Sequence, residues 1–510
     1  MRISSGPNFG CSALAFAAGL LLFPAAGRAE ERTSLGLLEA VEIALESDPN
    51  IRLAETQVDA SFASVLSAES LFDLGLTVDL DFEDSTTPTS ETSERVRRVL
   101  SESVAASRVL RSGQTLQTRL SFDQNLSVSG EPVSTGTFSF TVRQPLRRGF
   151  RAEAVTASER AARGDLEASE LELVQSIAQR LLAVVNRYWA ARAAMQDLEI
   201  LREVEERSRE FLASTRRLVE ANLTPSADLL QLEADLISRE ATRVAGERSL
   251  FRALQDLGQE IGLEPEEIID LEMPEDPFPS IEVEKVPTSA RAYVAEAIAS
   301  RPDLAAAQQR LQSAELRRLG AEDAVKPLLD LVLTPSFTGL VEGDRPSDAL
   351  LAIRRNVPGV SFSVGLSYSF PLANRAARGA LLRASVAAEQ QSLTVRAQRV
   401  QIGADVPTAL DAVRASGQQL SKLAAAVELF EQVLSNEERR LQVGSSTLID
   451  VLNQRDRLTS AQQRLVSARL ALAQALVSLR FETGTLVRRS PNGVQTVRVE
   501  DLTTLPLRGE

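Results

Sequence analysis

The sequence predicts a mixed fold, long all-α coiled coil plus alternating β-strands, duplicated within one chain. Three observations carry that reading. A motif returns at long range: Ala44-Leu45-Glu46-Ser47-Asp48-Pro49-Asn50-Ile51 is echoed by Ala297-Ile298-Ala299-Ser300-Arg301-Pro302-Asp303-Leu304. After each copy come stretches in which apolar and polar residues alternate. Each copy then enters a long region with heptad spacing.

The chain divides accordingly into a signal peptide over 1–29, a first repeat over 30–265, a linker over 266–286, a second repeat over 287–488 and a tail over 489–510. Arg2 followed by an apolar run over 13–26 and the small residues Gly27-Arg28-Ala29 has the layout of a cleaved export signal. The run is too short for a comfortable membrane span.

Within the first repeat a helix is predicted over 35–70, punctuated at Asp48-Pro49. Leu74, Leu76, Val78, Leu80 and Phe82 then alternate with polar residues or glycine, the period of a strand with one wet face. Phe138, Phe140 and Val142 mark a second strand ending at Gln144-Pro145. The stretch 114–128 adds a strand or a long loop. Residues 84–112, rich in Ser, Thr and Arg, read as a loop or an extra helix.

A helix of some 70 residues is predicted from 152 to 221, about 100 Å at ~1.5 Å per residue. Its seam is Val174, Ile177, Leu181, Val184, Tyr188, Ala191, Met195 and Leu198. A turn at Asn222-Leu223-Thr224-Pro225 leads to a returning helix over 226–263.

The second repeat has the same order. Leu329, Leu331 and Leu333 open one strand; Val360, Phe362, Val364, Leu366, Tyr368 and Phe370 form another, with Ser or Gly between them. A long helix over 376–443 follows, and Pro407 should kink it or remove a hydrogen bond. In the returning helix Leu458, Leu465, Leu472 and Leu479 fall every seven residues, with Ala461, Ala468 and Ala475 on the other seam position. In both repeats the shorter helices are near half the length of the long one and could flank it end to end.

Composition narrows the function. A formal charge of −14 and only three lysines (Lys285, Lys326, Lys422) give nucleic acid no electrostatic footprint. The single cysteine, Cys11, lies in the signal, so no disulfide framework is expected. Histidine is absent, which removes the commonest general base and metal ligand. No catalytic residue, metal or cofactor is expected, and the chain is not read as an enzyme.

The alternating strands fit either a barrel wall between lipid and water or a soluble sandwich. No stretch after the signal approaches the ~20 apolar residues of a spanning helix, so any membrane element must be a barrel. About four strands per chain cannot close a barrel of at least ~8, whereas three chains would supply about twelve.

The paired repeat, the junction Gln144-Pro145-Leu146-Arg147-Arg148-Gly149 and the turn Val443-Gly444-Ser445-Ser446-Thr447-Leu448-Ile449-Asp450-Val451-Leu452 together resemble the TolC family of outer-membrane efflux channels. The likeness covers about 35–485. It implies a homotrimer with a twelve-stranded barrel in outer-membrane lipid and a helical tunnel crossing the periplasm. A periplasmic adaptor and an inner-membrane pump would complete the export path, either efflux or type I secretion.

The resemblance also implies roles for the turns. Asn222, Leu223, Thr224, Val443, Gly444, Ser445 and Ser446 would form a tip that contacts the adaptor. Asp450 matches the first of two acidic positions ringing the entrance, the second being Asn453 here. Asp228 and Gln231 are their first-repeat counterparts. The family's lock is altered, since Ser446 stands where an arginine is expected and Leu441 where a tyrosine is. The junction after Phe370-Pro371-Leu372 has Asn374-Arg375 in place of a glycine-rich turn. The alternative is an exported coiled-coil adaptor without a pore, whose strands would form a soluble domain.

Overall fold

A computed structural model of the chain describes residues 34–90, 93–125, 133–220, 227–269, 271–282, 284, 286–287, 289–342, 359–489, 495–496 and 502–506. The expected signal peptide lies outside them.

In chain order the first repeat contains β1 (Ser34–Leu35), α1 (Leu37–Ser47), α2 (Pro49–Glu69), β2 (Gly75–Ser90), β3 (Ser93–Val109), β4 (Thr115–Asn125), β5 (Val133–Pro145), α3 (Ala152–Val155), α4 (Ala157–Glu220) and α5 (Ala227–Glu260). The connecting segment holds α6 (Pro265–Ile269) and β6 (Met273–Pro274). The second repeat contains α7 (Arg291–Ser300), α8 (Pro302–Ala324), β7 (Leu328–Glu342), β8 (Gly359–Ser369), α9 (Arg375–Gln442) and α10 (Leu448–Glu482), followed by β9 (Arg488–Arg489) and β10 (Gln495–Thr496). Apart from the short α3, the helices of the two repeats correspond one for one, and α9 runs through Pro407 as a single helix.

The chain forms two compact units, one built from 57–170 and 306–396, the other from the remainder. The first holds a six-stranded antiparallel sheet in the order β2-β3-β4-β5-β7-β8. Residues 84–112, read from the sequence as a loop or an extra helix, instead contain the end of β2 and all of β3. Charge hid the period there: Arg98 and Glu102 sit on the otherwise apolar face of β3, while Val99 and Ala105 sit on the polar one. The uncertain stretch 114–128 supplies β4, so among the described residues the sheet has six strands, two more than were expected.

Residues directly opposed in an antiparallel pair share a face. Leu76, Val78, Leu80 and Phe82 oppose Ala106, Val104, Glu102 and Leu100. That face continues through Leu116, Leu120 and Phe122 of β4, Phe138, Phe140 and Val142 of β5, and Leu329, Leu331, Leu333 and Phe337 of β7. It ends on Val360, Phe362, Val364, Leu366 and Tyr368 of β8, each at least 60% exposed. The opposite face is polar and internally hydrogen-bonded. Ser101 Oγ donates to Asp123 at 2.6 Å, Arg119 Nη1 to Ser103 Oγ at 3.0 Å, and Arg143 pairs with Asp330 at 3.3 Å.

Strands pass into helices through built turns. Gly149, with φ 80°, donates its N–H to Asp323 at 2.6 Å. Asn374 takes the left-handed conformation with φ 45°, and its Nδ2 donates to the Val325 carbonyl at 2.9 Å. Asparagine tolerates this region better than other side chains, which explains how Asn374-Arg375 replaces a glycine-rich turn.

The second unit is helical and contains the predicted seams. Ile177, Leu181, Val184, Tyr188, Ala191 and Leu198 of α4 are buried, as are Leu458, Leu472, Leu479, Ala461, Ala468 and Ala475 of α10. Among the described residues no helix is long and apolar enough to cross a membrane.

The repeated motif forms a joint in each half. Asp48 and Arg301 precede prolines, which bar them from the helical region, and they adopt nearly identical extended dihedrals, φ −67° and ψ 117° against φ −67° and ψ 120°. Pro49 and Pro302 open the next helix, where a missing N–H costs nothing. At each joint a glycine in the left-handed region ends the returning helix against the break. A Cβ on Gly262 would lie 3.2 Å from Asp48 Cα, and one on Gly484 would lie 3.0 Å from Arg301 Cα.

Beside the first joint, β1 pairs in parallel with β6, in the segment between the repeats. The Tyr188 hydroxyl donates to Asp276 Oδ2 at 2.7 Å, and the same oxygen accepts the Leu37 N–H at 2.6 Å. Trp189 stacks on Phe278 with ring centroids 5.2 Å apart. Burial foremost, then the bond to Asp276, pushes the Tyr188 hydroxyl well above its usual range.

Candidate functional site

The turn between α9 and α10 is set by Gly444. Its φ of 75° lets Gly444 N–H reach the Leu441 carbonyl at 3.0 Å and Ser445 N–H reach the Arg440 carbonyl at 2.9 Å. This paired pattern is a Schellman motif, and it satisfies carbonyls that the helix end would orphan. A side chain at 444 would meet nothing within 4 Å, so the conformation alone selects glycine.

Thr447 then caps α10. Its hydroxyl accepts the Asp450 N–H at 3.2 Å while the Asp450 carboxylate accepts the Thr447 N–H at 3.2 Å and its hydroxyl at 2.6 Å. Hydrogen bonds from the Thr447 side chain and backbone hold the Asp450 carboxyl below its usual range. Asp450 is therefore an exposed, firmly ionised group, and it lies on the same turn as the exposed Asn453.

Val443, Gly444 and Ser445 are exposed at the apex, Val443 by 78%. Ser446 is half-buried and donates to Glu437. Leu441 packs toward a small cluster of Leu434, Val451 and Leu458 that closes the hairpin. Arg440 pairs with Glu437 at 2.9 Å. Arg455 pairs with Glu438 at 2.8 Å and lies over the Phe211 ring at 4.3 Å. Both arginines are thus engaged with residues of their own chain.

The first-repeat turn is less complete. Asn222, Leu223 and Thr224 lie outside the described residues, and of Asp228 only the backbone in the first turn of α5 is described. Gln231 is exposed and shares a cleft of about 880 Å³ with Phe211, Leu441, Gly444, Ser446 and Ile449. The structure therefore brings Gln231 together with Gly444 and Ser446.

Sequence reading missed the ion pairs that tie α5 to α10 and to α4. Arg239 bridges Asp235 of its own helix, at 2.9 Å, and Asp456 of α10. Arg243 reaches Glu205 of α4 at 2.5 Å and Glu247 at 2.6 Å. The acidic and basic residues four apart on α5 were visible, but their partners on other helices were not.

The helices leave apolar stripes unfilled. Leu230, Ile237, Val244 and Phe251 of α5 recur every seven residues and are each at least 54% exposed. Val386, Leu393 and Val400 repeat that spacing on α9 and are also exposed. A heptad stripe is the seam of a helix–helix contact.

A family model described as outer membrane efflux protein matches residues 40–263 and 293–485, one segment in each repeat. The pyoverdine export outer membrane protein OpmQ of Pseudomonas aeruginosa is 25% identical over 324 residues, 63% of this chain and 65% of that protein. The chain thus matches just under two thirds of that relative's length. The solved outer-membrane channel OprN shares 19% identity at a TM-score of 0.66, covering 88% of this chain and 90% of that one. VceC of Vibrio cholerae shares 18% at 0.63, covering 88% and 96%. At such identities the likeness is one of fold, and both solved chains are spanned almost end to end. With both repeats matched by the family model, the chain belongs to the outer membrane efflux protein family, in the outer membrane and extending into the periplasm.

Proposed function

We propose that three copies of this chain form the exit duct of a tripartite efflux system, passing cargo handed over in the periplasm out across the outer membrane. The single observation that carries this reading is the sheet. One face is apolar across six strands and lies exposed on both edge strands, the other is polar and hydrogen-bonded, and among the described residues neither β2 nor β8 has a second strand partner. An open edge cannot face lipid, so such a sheet must close with other copies. The unfilled stripes on α5 and α9 support the same conclusion for the helices. A soluble adaptor domain would need a second layer over the apolar face, whereas Leu76, Val78, Leu80 and Phe82 of β2 and the apolar residues of β8 stand exposed.

The tip roles belong to this proposal. Val443, Gly444, Ser445 and Ser446, with Asn222, Leu223 and Thr224, would meet a periplasmic adaptor fed by an inner-membrane pump. Asp450, together with Asn453, Asp228 and Gln231, would line the entrance. Three Asp450 carboxylates brought together by symmetry would make a ring that attracts cations.

Reconstitution in a planar bilayer tests this. Discrete conductance steps with cation preference are expected, and a folded oligomer that never conducts would sink the duct reading. Asp450→Asn should weaken cation preference and divalent-cation block. An unchanged response would remove Asp450 from the entrance.

A further inference from the structure

Apart from the short α3, the two repeats agree helix for helix but not strand for strand. The first carries β2 to β5, the second only β7 and β8. The surplus is the β3–β4 hairpin, and it is built into the wall. It stands between β2 and β5, in unbroken register with each across eleven or more residue pairs. Its Leu100, Val104, Leu120 and Phe122 continue the apolar face, and its Ser101, Ser103, Arg119 and Asp123 continue the polar one. A flap lying over the barrel would have no reason to match both faces.

The hairpin's turn at the helical end of the sheet is also fixed. Leu110 N–H donates to the Gln114 carbonyl at 2.8 Å, and Gly113, with φ 96°, sits so close to Gly149 that any Cβ would collide with the Gly149 carbonyl. Arg111 makes three hydrogen bonds to Glu159 in the first turn of α4, at 3.3, 3.0 and 2.9 Å, and lies over the Phe72 ring at 4.8 Å. Gln114 Nε2 donates to Gln144 Oε1 at 3.0 Å beside the strand-to-helix junction. These contacts lock the extra turn to the place where β5 becomes helix.

Among the described residues β2 and β8 have no second partner, so their edges can accept a strand from another chain. Six is an even number, so β2 and β8 run in opposite directions and β8 of one copy can pair antiparallel with β2 of the next. Their apolar residues lie on the same face of the sheet, so the apolar band stays continuous across that seam. Resting on the trimeric duct proposed above, we infer that three copies close an eighteen-stranded barrel, not the twelve-stranded one the family resemblance implies. Barrel diameter grows roughly linearly with strand number, so the ring is about 1.5-fold wider than twelve strands would make it. The mouth then suits cargo bulkier than a twelve-stranded ring passes, and β3 and β4 line it with Ser103, Arg119 and Asp123.

Electron microscopy of the full oligomer in lipid nanodiscs, at a resolution that separates strands, should count eighteen. A count of twelve, whether from two copies or from a hairpin lying outside the ring, overturns the inference. Neighbouring substitutions give a second measurement. Ser103→Cys should react with a membrane-impermeant thiol reagent through the lumen, while Val104→Cys should be reached only by a lipid-soluble quencher. Ser121→Cys and Leu120→Cys on β4 repeat the comparison if either first variant fails to assemble. Equal reaction at both members of a pair overturns the placement of the hairpin in the wall. Conducting particles with twelve strands would refute this inference and leave the duct standing. Eighteen strands without conductance would bear out the count and refute the duct.

Discussion

At the first joint, between α1 and α2, the residue at the break is a buried carboxylate, Asp48. At the second, between α7 and α8, it is the guanidinium of Arg301. Asp48 caps its own helix by accepting the Asn50 N–H at 2.7 Å, and Arg180 of α4 donates to it at 2.5 Å while also pairing with Glu260 at 3.1 Å. Arg301 instead pairs with Asp303 at 2.8 Å and with Glu482 of α10 at 2.6 Å. Charge has swapped sides while dihedrals, prolines and closing glycines have not. Sterics fix the geometry of the joint, and electrostatics need only be complementary within each copy.

The comparison can be broken most forcefully at the glycines. Gly484→Val puts a branched side chain at φ 71° and 3.0 Å from the Arg301 backbone, and should cost about 3 kcal/mol or more in strain and overpacking. Gly262→Val should cost nearly as much, because its neighbours stand at 3.2 Å. Urea unfolding of each variant checks this. If one glycine tolerates valine, the two joints are not sterically equivalent.

Next come the arginines. Arg180→Ala strands a carboxylate that is almost fully buried, which should cost about 3 kcal/mol. Arg301→Ala should cost about 1 kcal/mol, since Glu482 can take up a proton once its partner is gone. Equal losses in denaturant titrations would show that the reversal of charge is without energetic consequence.

The smallest effect, and the most diagnostic, is with pH. Burial works against ionisation of Asp48, but hydrogen bonds from Arg180 and Asn50 outweigh it and hold the group below its ordinary 3.8. Its stabilisation is present above that value and lost as pH falls through the lower folded one. For Glu482, burial outweighs Arg301 and raises the group above 4.5. Its contribution is complete below 4.5 and lost as pH rises through the raised value. Asp48→Asn should therefore flatten the acid limb of the stability curve, and Glu482→Gln the limb just above pH 4.5. The same limb responding to both would contradict the reversal.

The helical seams were legible because apolar spacing survives any choice of neighbour. Gly444 and the cap at Asp450 were legible because turn chemistry is local. Strand β3 was not, because Arg98 and Glu102 on one face and Val99 and Ala105 on the other erase its period. The partnership of Arg239 with Asp456 spans 217 positions, and only the fold brings such residues together. The exposed stripe on α5 could have been found, since Leu230, Ile237, Val244 and Phe251 sit seven apart in plain view.

The parallel pairing of β1 with β6 carries a consequence for how this molecule could be taken apart. Ser34, Leu35, Met273, Pro274, Asp276 and Phe278 all fasten onto Tyr188 and Trp189 or onto one another, and every one of them precedes residue 280. The first half therefore carries its own clasp, and a chain cut just beyond it severs no part of that clasp. Two separately made polypeptides, divided there, should find each other and rebuild the whole, making the ancient seam of the duplication a natural place to split the protein.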